Sequence, residues 1–294
     1  MQHRIMIAAC LALAAHAQPS RPPIVGVAHF AAKTSDLAKA RQFYGHDLGF
    51  AEISALNNLA LFKVNDHQYV YVLPELRDPA EDRLSHIAFE TTDAKKLRDY
   101  LAAKGVAVPA ALQSLPDGNL SFQVTDPDGH ATEFLQFLPG GIEAARLGQS
   151  MPESRISTRI IHVGVTVKDR TAADRFYHDI LGFEESWHGG PSDDKVNWVD
   201  MRVPEGTDWL EYMLNVNNPS PRTLGVMHHF GLGVPSVADA NQRLLDRGVT
   251  PGEKPKIGRD GKWQLNLYDA DLTRVELMEP KPVQTPCCSP MKQP

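Results

Sequence analysis

The stretch "HFAAKTSDLAKARQFYGHDLGF" (29–50) returns as "HVGVTVKDRTAADRFYHDILGF" (162–183), with the histidine, the Phe-Tyr pair and the closing Gly-Phe at matching places. Two shorter stretches return in the same order: "SHIAFETTD" (85–93) as "HHFGLGVPS" (228–236), and "DPDGHATEF" (126–134) as "DADLTRVEL" (269–277). Self-similarity of this kind is typical of a duplicated unit. We therefore predict two homologous domains.

Each predicted domain divides again into two similar halves. Each half opens with a strand that carries a histidine and then enters a helix, where Leu37, Ala40 and Tyr44 show helical spacing. The second helix of domain 1, in "DAKKLRDYLAAKG" (93–105), ends at a glycine, which is a typical C-terminal signal. Short strands with alternating apolar residues follow each helix. The predicted unit is therefore β-α-β-β-β, present four times.

The length of 294 residues, 42% of them hydrophobic, is enough for two ordinary domains. The predicted segments are a signal peptide (1–17), domain 1 (22–140), a linker (141–157), domain 2 (158–280) and a disordered tail (281–294). The formal net charge is −6 and there is no basic run, so we expect neither nucleic acid nor an anionic membrane surface as a partner. A small molecule is the expected partner, and the oligomeric state is left open.

The N-terminus predicts export. A short basic start precedes an apolar run (5–15) that closes on Ala-His-Ala (15–17), the pattern of a secretory signal. The apolar run is too short to span a bilayer. We expect a periplasmic or extracellular protein with no membrane anchor after signal removal; the alternatives are a misassigned start or a disordered leader.

The two cysteines that remain after signal removal, Cys287 and Cys288, are adjacent in the predicted tail. They cannot belong to a disulfide framework within the folded domains, so stability must come from the core. Surface metal capture and intermolecular disulfides are alternative roles for the pair.

Domain 2 has four polar side chains that strand alternation turns away from the apolar face of the sheet. They are His162, Glu211, His229 and Glu276. Glu211 stands in the middle of "WLEYML" (209–214), where a lone buried carboxylate would be costly. A single strand histidine is more often a hydrogen-bonded core residue, and a single glutamate is usually solvated. Four such residues in matching slots of a repeated module favour a divalent-metal site instead.

The His-bearing strand before a helix that ends "FYxxxLGF", together with "HIAFE" and "DPDGxxxEF", resembles the vicinal oxygen chelate superfamily, which includes glyoxalase I, bleomycin-resistance proteins and extradiol dioxygenases. The resemblance implies an α+β fold of two tandem domains, each with paired β-α-β-β-β modules in a cup-shaped mixed sheet. It places metal ligands on the first and last strand of each module. In domain 2 these positions are His162, Glu211, His229 and Glu276, and alternation turns the adjacent His228 toward the helix side.

Domain 1 departs from this pattern. His29, His86 and Glu133 fill three of the ligand positions, and the fourth falls at Val70 or Tyr71, neither of which is a carboxylate. Domain 1 is therefore expected to hold a three-ligand site, a weak site or no metal at all. Structural support or an ancillary pocket is its expected role.

The glyoxalase-like members imply an isomerase, epimerase or lyase. A divalent ion acts as a Lewis acid on an enediolate-type intermediate in such reactions, and Glu276 or Glu211 would act as the catalytic base. Imidazole and carboxylate suit Zn, Ni, Mn and Fe alike, so the ligands leave the metal open. Export makes a glutathione-dependent reaction less expected than a thiol-independent one.

Two alternatives stay open. One is an Fe(II) extradiol-type ring-cleaving dioxygenase with the triad His162, His229 and Glu276. A chelating substrate and O₂ together need three free coordination positions, and Glu211 would take one of them. The other alternative is a non-catalytic small-molecule binding protein of the bleomycin-resistance type, although those members typically lack the metal ligands.

Overall fold

The computed structural model describes residues 20–53, 59–115 and 117–292. The predicted signal peptide (1–17) lies outside the described residues, and so do the last two residues of the predicted tail. No helix within the described ranges is long and apolar enough to cross a membrane.

Domain 1 is built on one eight-stranded sheet. Its elements are β1 (Ile24–Lys33), α1 (Leu37–Ala40) with a π-helical continuation (Arg41–Asp47), β2 (Ala51–Glu52), β3 (Ala60–Lys63), β4 (Tyr69–Leu73), β5 (Leu84–Thr91), α2 (Ala94–Ala103), β6 (Gln113–Ser114), β7 (Leu120–Thr125) and β8 (Ala131–Gln136). The strand order is β2-β3-β4-β1-β5-β8-β7-β6. β1 pairs parallel with β4 and antiparallel with β5, so the two modules meet at their first strands.

A linker helix, α3 (Ile142–Ala145), leads into domain 2, which repeats the same architecture. Its elements are β9 (Ile160–Val167), α4 (Arg170–Asp174) with a π-helical continuation (Arg175–Ile180), β10 (Glu184–Gly189), β11 (Trp198–Arg202), β12 (Trp209–Leu214), α5 (Pro221–Met227), β13 (His229–Gly233), α6 (Val237–Asp246), β14 (Lys256–Ile257), β15 (Trp263–Tyr268) and β16 (Arg274–Met278). The order β10-β11-β12-β9-β13-β16-β15-β14 matches that of domain 1. The predicted fold class and its repeated β-α-β-β-β unit are confirmed, while the assigned domain limits stay predictions.

The apolar residues of both sheets face one shared core, which also receives the helices. Phe30 of β1 and Phe230 of β13 touch across the domains, with ring centroids 5.2 Å apart. Strand alternation accounts for this arrangement, because Leu210 and Tyr212 are buried in the core while the intervening Glu211 faces the other way. The concave faces of the two sheets therefore point away from the shared core.

The repeated "FY" and "DPDG"-like motifs join the domains reciprocally. The Tyr44 hydroxyl donates to Asp269 of domain 2 at 2.9 Å. The Tyr177 hydroxyl donates to Asp126 of domain 1 at 3.0 Å. Each motif tyrosine thus lies on a helix of one domain and is hydrogen-bonded to the strand-connecting turn of the other.

The described part of the tail has no helix or strand and runs beside β10. His188 N donates to Ser289 Oγ at 2.8 Å, and Lys292 N donates to Ser186 O at 2.8 Å. The sulfurs of Cys287 and Cys288 are bonded to each other, so the pair adds no link between distant parts of the fold. These contacts place the described part of the tail against domain 2. The expectation that the tail is disordered stays a prediction.

Candidate metal centre

The four predicted ligands of domain 2 converge on one point at the floor of its cup. Nε2 of His162 and Nε2 of His229 lie 3.1 Å apart. Glu211 Oε2 lies 3.0 Å from His229 Nε2, and Glu276 Oε2 lies 3.5 Å from His162 Nε2. One ligand atom from each of the four residues lies within 4.8 Å of the other three.

Each of these histidines lies opposite a glycine on the neighbouring strand. β9 and β13 are antiparallel, with His229 opposite Gly164 and His162 opposite Gly231. A Cβ added at Gly164 would overlap the His229 ring, and one added at Gly231 would overlap the His162 ring. The two glycines therefore leave the space in which the imidazoles lie.

The two carboxylates enter from opposite sides of the histidine pair. β12 runs parallel to β9 and places Glu211 beside Gly164. β16 runs parallel to β13 and places Glu276 beside Gly231. Because one strand flanks each side of the β9–β13 pair, the cluster has one His and one Glu from each module.

The position of its proton leaves Nε2 of His229 available as a metal ligand. Burial and the nearby Arg274 charge lower the pKa of His229 to about 4, so the ring carries one proton at neutral pH. His229 Nδ1 lies 2.9 Å from Met227 O, and a carbonyl only accepts, so that proton is on Nδ1. Nε2 then presents its lone pair to the Glu211 oxygen 3.0 Å away. In this structure Arg274 Nη2 donates to that lone pair, and a divalent ion in its place would bridge Nε2 and the Glu211 carboxylate.

Glu276 is suited to the same ion. Burial raises the pKa of Glu276, but the opposing effects of its hydrogen bond with His162 and of the Arg274 charge are larger and lower the pKa to about 2. The carboxylate is therefore ionised at neutral pH, as a metal ligand must be. The donor set of two imidazoles and two carboxylates fits a divalent cation.

Three of the four residues, His162, Glu211 and Glu276, line the floor of a cavity of about 260 Å³. Three tryptophans, Trp187, Trp198 and Trp209, contribute to its walls. Trp209 also lies against the His162 ring, with centroids 5.0 Å apart. A small, partly apolar cavity around a polar floor is the usual form of a small-molecule site.

The sequence analysis did not predict two ionisable residues of the cavity, Arg274 and Asp200. Arg274 Nη2 lies 2.6 Å from His229 Nε2. Asp200 lies opposite Glu211 on the paired strand, and burial followed by the charge of Glu211 raises the pKa of Asp200 well above its usual range. The missed signal was alternation, since Arg274 precedes Glu276 by two residues and Asp200 stands between buried apolar neighbours.

His228 lies outside the cluster. Its Nε2 is 2.9 Å from Thr166 Oγ1, and its Nδ1 is 2.9 Å from Asp82 Oδ1 of domain 1. The choice of His229 over His228 from strand alternation agrees with this placement.

Domain 1 brings its three predicted residues together in the same way. His29 Nε2 and His86 Nε2 lie 2.8 Å apart, and Glu133 Oε2 lies 3.2 Å from the first and 3.1 Å from the second. With metal–ligand bonds of about 2.1 Å, such spacings subtend angles of roughly 90°, as on one face of an octahedron. Burial raises the pKa of Glu133, but the two histidines lower it well below its usual range.

The fourth slot of domain 1 belongs to Tyr71. Tyr71 pairs with Ala31 on β1, the position equivalent to Glu211 beside Gly164. Its ring stacks on His29, with centroids 4.1 Å apart, and its hydroxyl donates to Asp117 at 3.2 Å. Tyr71 belongs to a buried apolar cluster against which Ile142 of the linker helix packs, so this slot is apolar where domain 2 has Glu211.

Comparison with known proteins gives distant relatives. An alignment of 99 residues matches glyoxalase I of Saccharomyces cerevisiae at 25% identity. It covers 34% of this chain and only 28% of the yeast protein. The Mn(II)-bound glyoxalase from Novosphingobium aromaticivorans superimposes with a TM-score of 0.69 at 19% identity, over 88% of this chain and 83% of that one. Homoprotocatechuate 2,3-dioxygenase from Arthrobacter globiformis gives 0.68 at 17% identity, over 94% and 87%. These structural likenesses show the shared fold.

A family model matches both halves of the chain. It describes the glyoxalase/bleomycin resistance protein/dioxygenase superfamily and covers residues 26–134 and 159–277, well over half of the sequence. The two matched regions contain the two candidate metal clusters. The chain belongs to the glyoxalase/bleomycin resistance protein/dioxygenase superfamily.

Proposed function

We propose that domain 2 is a metal-dependent, glyoxalase-like isomerase, epimerase or lyase. Its substrate is a small molecule that chelates the ion through two neighbouring oxygens. The bound ion, whose identity among Zn, Ni, Mn and Fe stays open, would supply the positive charge that stabilises negative charge developing on those oxygens.

The observation that carries this proposal is the position of Glu211, with Oε2 3.0 Å from His229 Nε2. Glu211 completes a set of four ligands with His162, His229 and Glu276. Four protein ligands leave about two positions of an octahedron, which suffice for a chelating substrate but not for an additional O₂.

The carboxylates of Glu211 and Glu276 are the candidate proton carriers. They come from β12 and β16, on opposite sides of the histidine pair. A substrate between them presents one face to each carboxylate, so one can remove a proton and the other can return it. Trp187, Trp198 and Trp209 line the cavity around this position and would shield a bound substrate from water.

Solvent exchange tests the reaction class directly. The full chain loaded with Mn²⁺ is incubated in D₂O with α-hydroxy ketones, α-hydroxy aldehydes and α-hydroxy acids, and loss of the α-C–H signal is followed by proton NMR. We expect metal-dependent exchange that falls roughly 100-fold or more in Glu276→Gln, as expected for loss of a general base. Glu75→Gln, at an exposed carboxylate of domain 1, is the matched control. Exchange that is no faster with the protein than without it, for every compound, would refute the proposal.

An Fe(II) ring-cleaving dioxygenase is the second candidate, because His162, His229 and Glu276 make a two-His, one-carboxylate triad even without Glu211. Oxygen uptake by the Fe²⁺-loaded protein with catechol distinguishes the two candidates. Catechol-dependent uptake that survives Glu211→Ala would favour the dioxygenase. Binding of ligands with neither exchange nor uptake would favour a binding protein.

Export is proposed from the N-terminal pattern alone. Fractionation of the expressing cells, with mass determination of the purified protein, tests it. A mature chain that begins at Gln18 in the periplasm or medium supports export, and an uncleaved chain in the cytoplasm contradicts it.

A further inference from the structure

Arg274 is a cation at the floor of the domain 2 cavity without a carboxylate partner. Within the described parts of the chain it forms no ion pair, and its Nε is buried without a hydrogen-bond partner. Its one side-chain hydrogen bond within those parts runs from Nη2 to His229 Nε2, 2.6 Å away. The other basic residues of the cavity wall differ, because Lys256 pairs with Glu253 and Arg259 with Asp193.

The contact of Arg274 with His229 is incompatible with a metal ligand role for the same nitrogen. Nε2 has one lone pair, and a bound ion takes it. Arg274 must then withdraw its hydrogen bond while its guanidinium stays beside the ion. Two adjacent cations repel each other, and this repulsion is strong in a partly buried cavity.

The charges of the cavity floor leave a place for one negative charge. The carboxylates of Glu211 and Glu276 neutralise a divalent ion, and Arg274 then adds one positive charge. Neither of the other two carboxyl groups of the cavity, Asp200 and Asp260, forms an ion pair with Arg274 within the described residues, and Asp260 pairs with Lys262 instead. An anion that lies between the ion and Arg274 would satisfy both cations. A carboxylate suits the guanidinium because it can accept two parallel N–H bonds.

We propose that the domain 2 site is selective for monoanionic substrates, small acids with two vicinal oxygens, and that Arg274 binds their carboxylate beside the metal ion. This inference rests on the proposed metal site and names its substrate class. It assigns Arg274 as a specificity residue that contacts the substrate and does not ligate the ion.

The proposal predicts a reciprocal coupling between metal and acid. Binding of an anion that relieves the repulsion must strengthen metal binding, and the ion must strengthen anion binding by the same factor. The neutral amide of the same acid lacks the charge and should give little coupling. Arg274→Met removes the repelling cation, so it should bind the ion more tightly than the unmodified protein and lose the coupling.

Mn²⁺ titration, followed by the electron paramagnetic resonance of the free ion, measures both effects without any assay of activity. The full chain, Arg274→Met and the control Arg175→Met, at an exposed arginine of the outer helix, are titrated alone, with glycolate and with glycolamide. We expect glycolate to tighten Mn²⁺ binding about tenfold in the full chain and in Arg175→Met, glycolamide to have less than a twofold effect, and Arg274→Met to bind Mn²⁺ at least as tightly without glycolate dependence.

The outcomes separate the two proposals. Absence of Mn²⁺ binding overturns the metal site and this inference together. Normal Mn²⁺ binding with no glycolate effect, or with equal effects of glycolate and glycolamide, overturns only the anion selectivity. Weaker Mn²⁺ binding in Arg274→Met would assign Arg274 to structural support of His229 and would likewise overturn the inference.

Discussion

Gly164 and Gly231 show how much of the candidate site depends on single residues that carry no chemistry. Each stands beside a ligand strand and opposite a ligand histidine, where any Cβ would overlap the imidazole. Domain 1 has Ala88 opposite His29 and Ala31 opposite His86, so its rings adopt positions that tolerate a methyl group. The difference between Gly and Ala therefore separates two clusters whose ligand types are otherwise alike.

Gly231→Ala is expected to weaken metal binding without removing a ligand. The added methyl group must displace the His162 ring, and displaced ligands typically lose roughly 10- to 100-fold in metal affinity. Mn²⁺ titration measures the effect, and circular dichroism checks the fold. Gly252→Ala is the control, because a Cβ there meets open space. Equal Mn²⁺ affinity of both variants would contradict this prediction, because it would mean that the His162 ring can accommodate the added methyl group without loss of metal binding.

At the scale of elements, the equivalent strands β4 and β12 explain why the two cups differ. β12 carries Glu211 at the slot beside the first strand, and β4 carries Tyr71 there. Tyr71 stacks on His29 and is hydrogen-bonded to Asp117, and Ile142 of the linker helix packs against the apolar cluster that contains Tyr71. The same backbone thus holds an open four-ligand cluster in one domain and a covered three-ligand cluster in the other.

We expect two unequal metal sites as a result. Domain 2 should bind Mn²⁺ more tightly, because it has four ligands and two carboxylates against three and one in domain 1. Elemental analysis and Mn²⁺ titration of Glu211→Ala and Glu133→Ala test this. Glu211→Ala should remove the tight phase and Glu133→Ala the weak phase.

A single ion per chain that Glu133→Ala leaves unchanged would mean that the domain 1 cluster binds no metal and has a structural role. A tight phase that survives Glu211→Ala would place the stronger site in domain 1 and contradict the expected order.

At the scale of the whole molecule, the two reciprocal Tyr–Asp contacts connect the domains, but the pKa values of their aspartates shift in opposite directions. Burial raises the pKa of Asp269 to about 6, against an ordinary 3.8. Burial also raises the pKa of Asp126, but the opposing effect of its hydrogen bond with His130 is larger, so the pKa lies below its usual value. An acid with a raised pKa in the folded state destabilises the fold once it is ionised, and one with a lowered pKa stabilises the fold when ionised.

Asp269→Asn is expected to reveal this cost. As the pH falls from 7 to 5, Asp269 takes up a proton in the folded state but not in the unfolded one, so the original protein gains about 1 kcal/mol of stability relative to the variant. Urea unfolding of both proteins at the two pH values measures the difference. The asparagine retains an oxygen that can accept from Tyr44.

Asp126→Asn is the matched comparison, because it alters the reciprocal contact with Tyr177. This substitution should destabilise the protein at pH 7. Between pH 7 and pH 5, the original protein should gain no comparable stability relative to Asp126→Asn. The same pH dependence in both variants would refute the assignment of the raised pKa to Asp269.

The amino-acid sequence by itself determined the duplication, the β-α-β-β-β unit and the residues that face the cups. These follow from local signals: a repeat can be read along the chain, and strand alternation turns His162 and Glu211 away from the apolar face. Alternation also distinguished His229 from His228. The sequence left the fourth ligand position of domain 1 open between Val70 and Tyr71, because a one-residue gap in the alignment of the repeats moves a strand residue to the other face of the sheet.

Only the tertiary structure decided what lies beside the candidate ligands. Cross-strand register placed Asp200 opposite Glu211 and Arg274 against His229, and packing brought Tyr71 over His29. It also joined each motif tyrosine to an aspartate of the other domain. These contacts link residues from separate strands, helices and domains. Their distances depend on how the sheets pair and pack, which no local pattern in the sequence records.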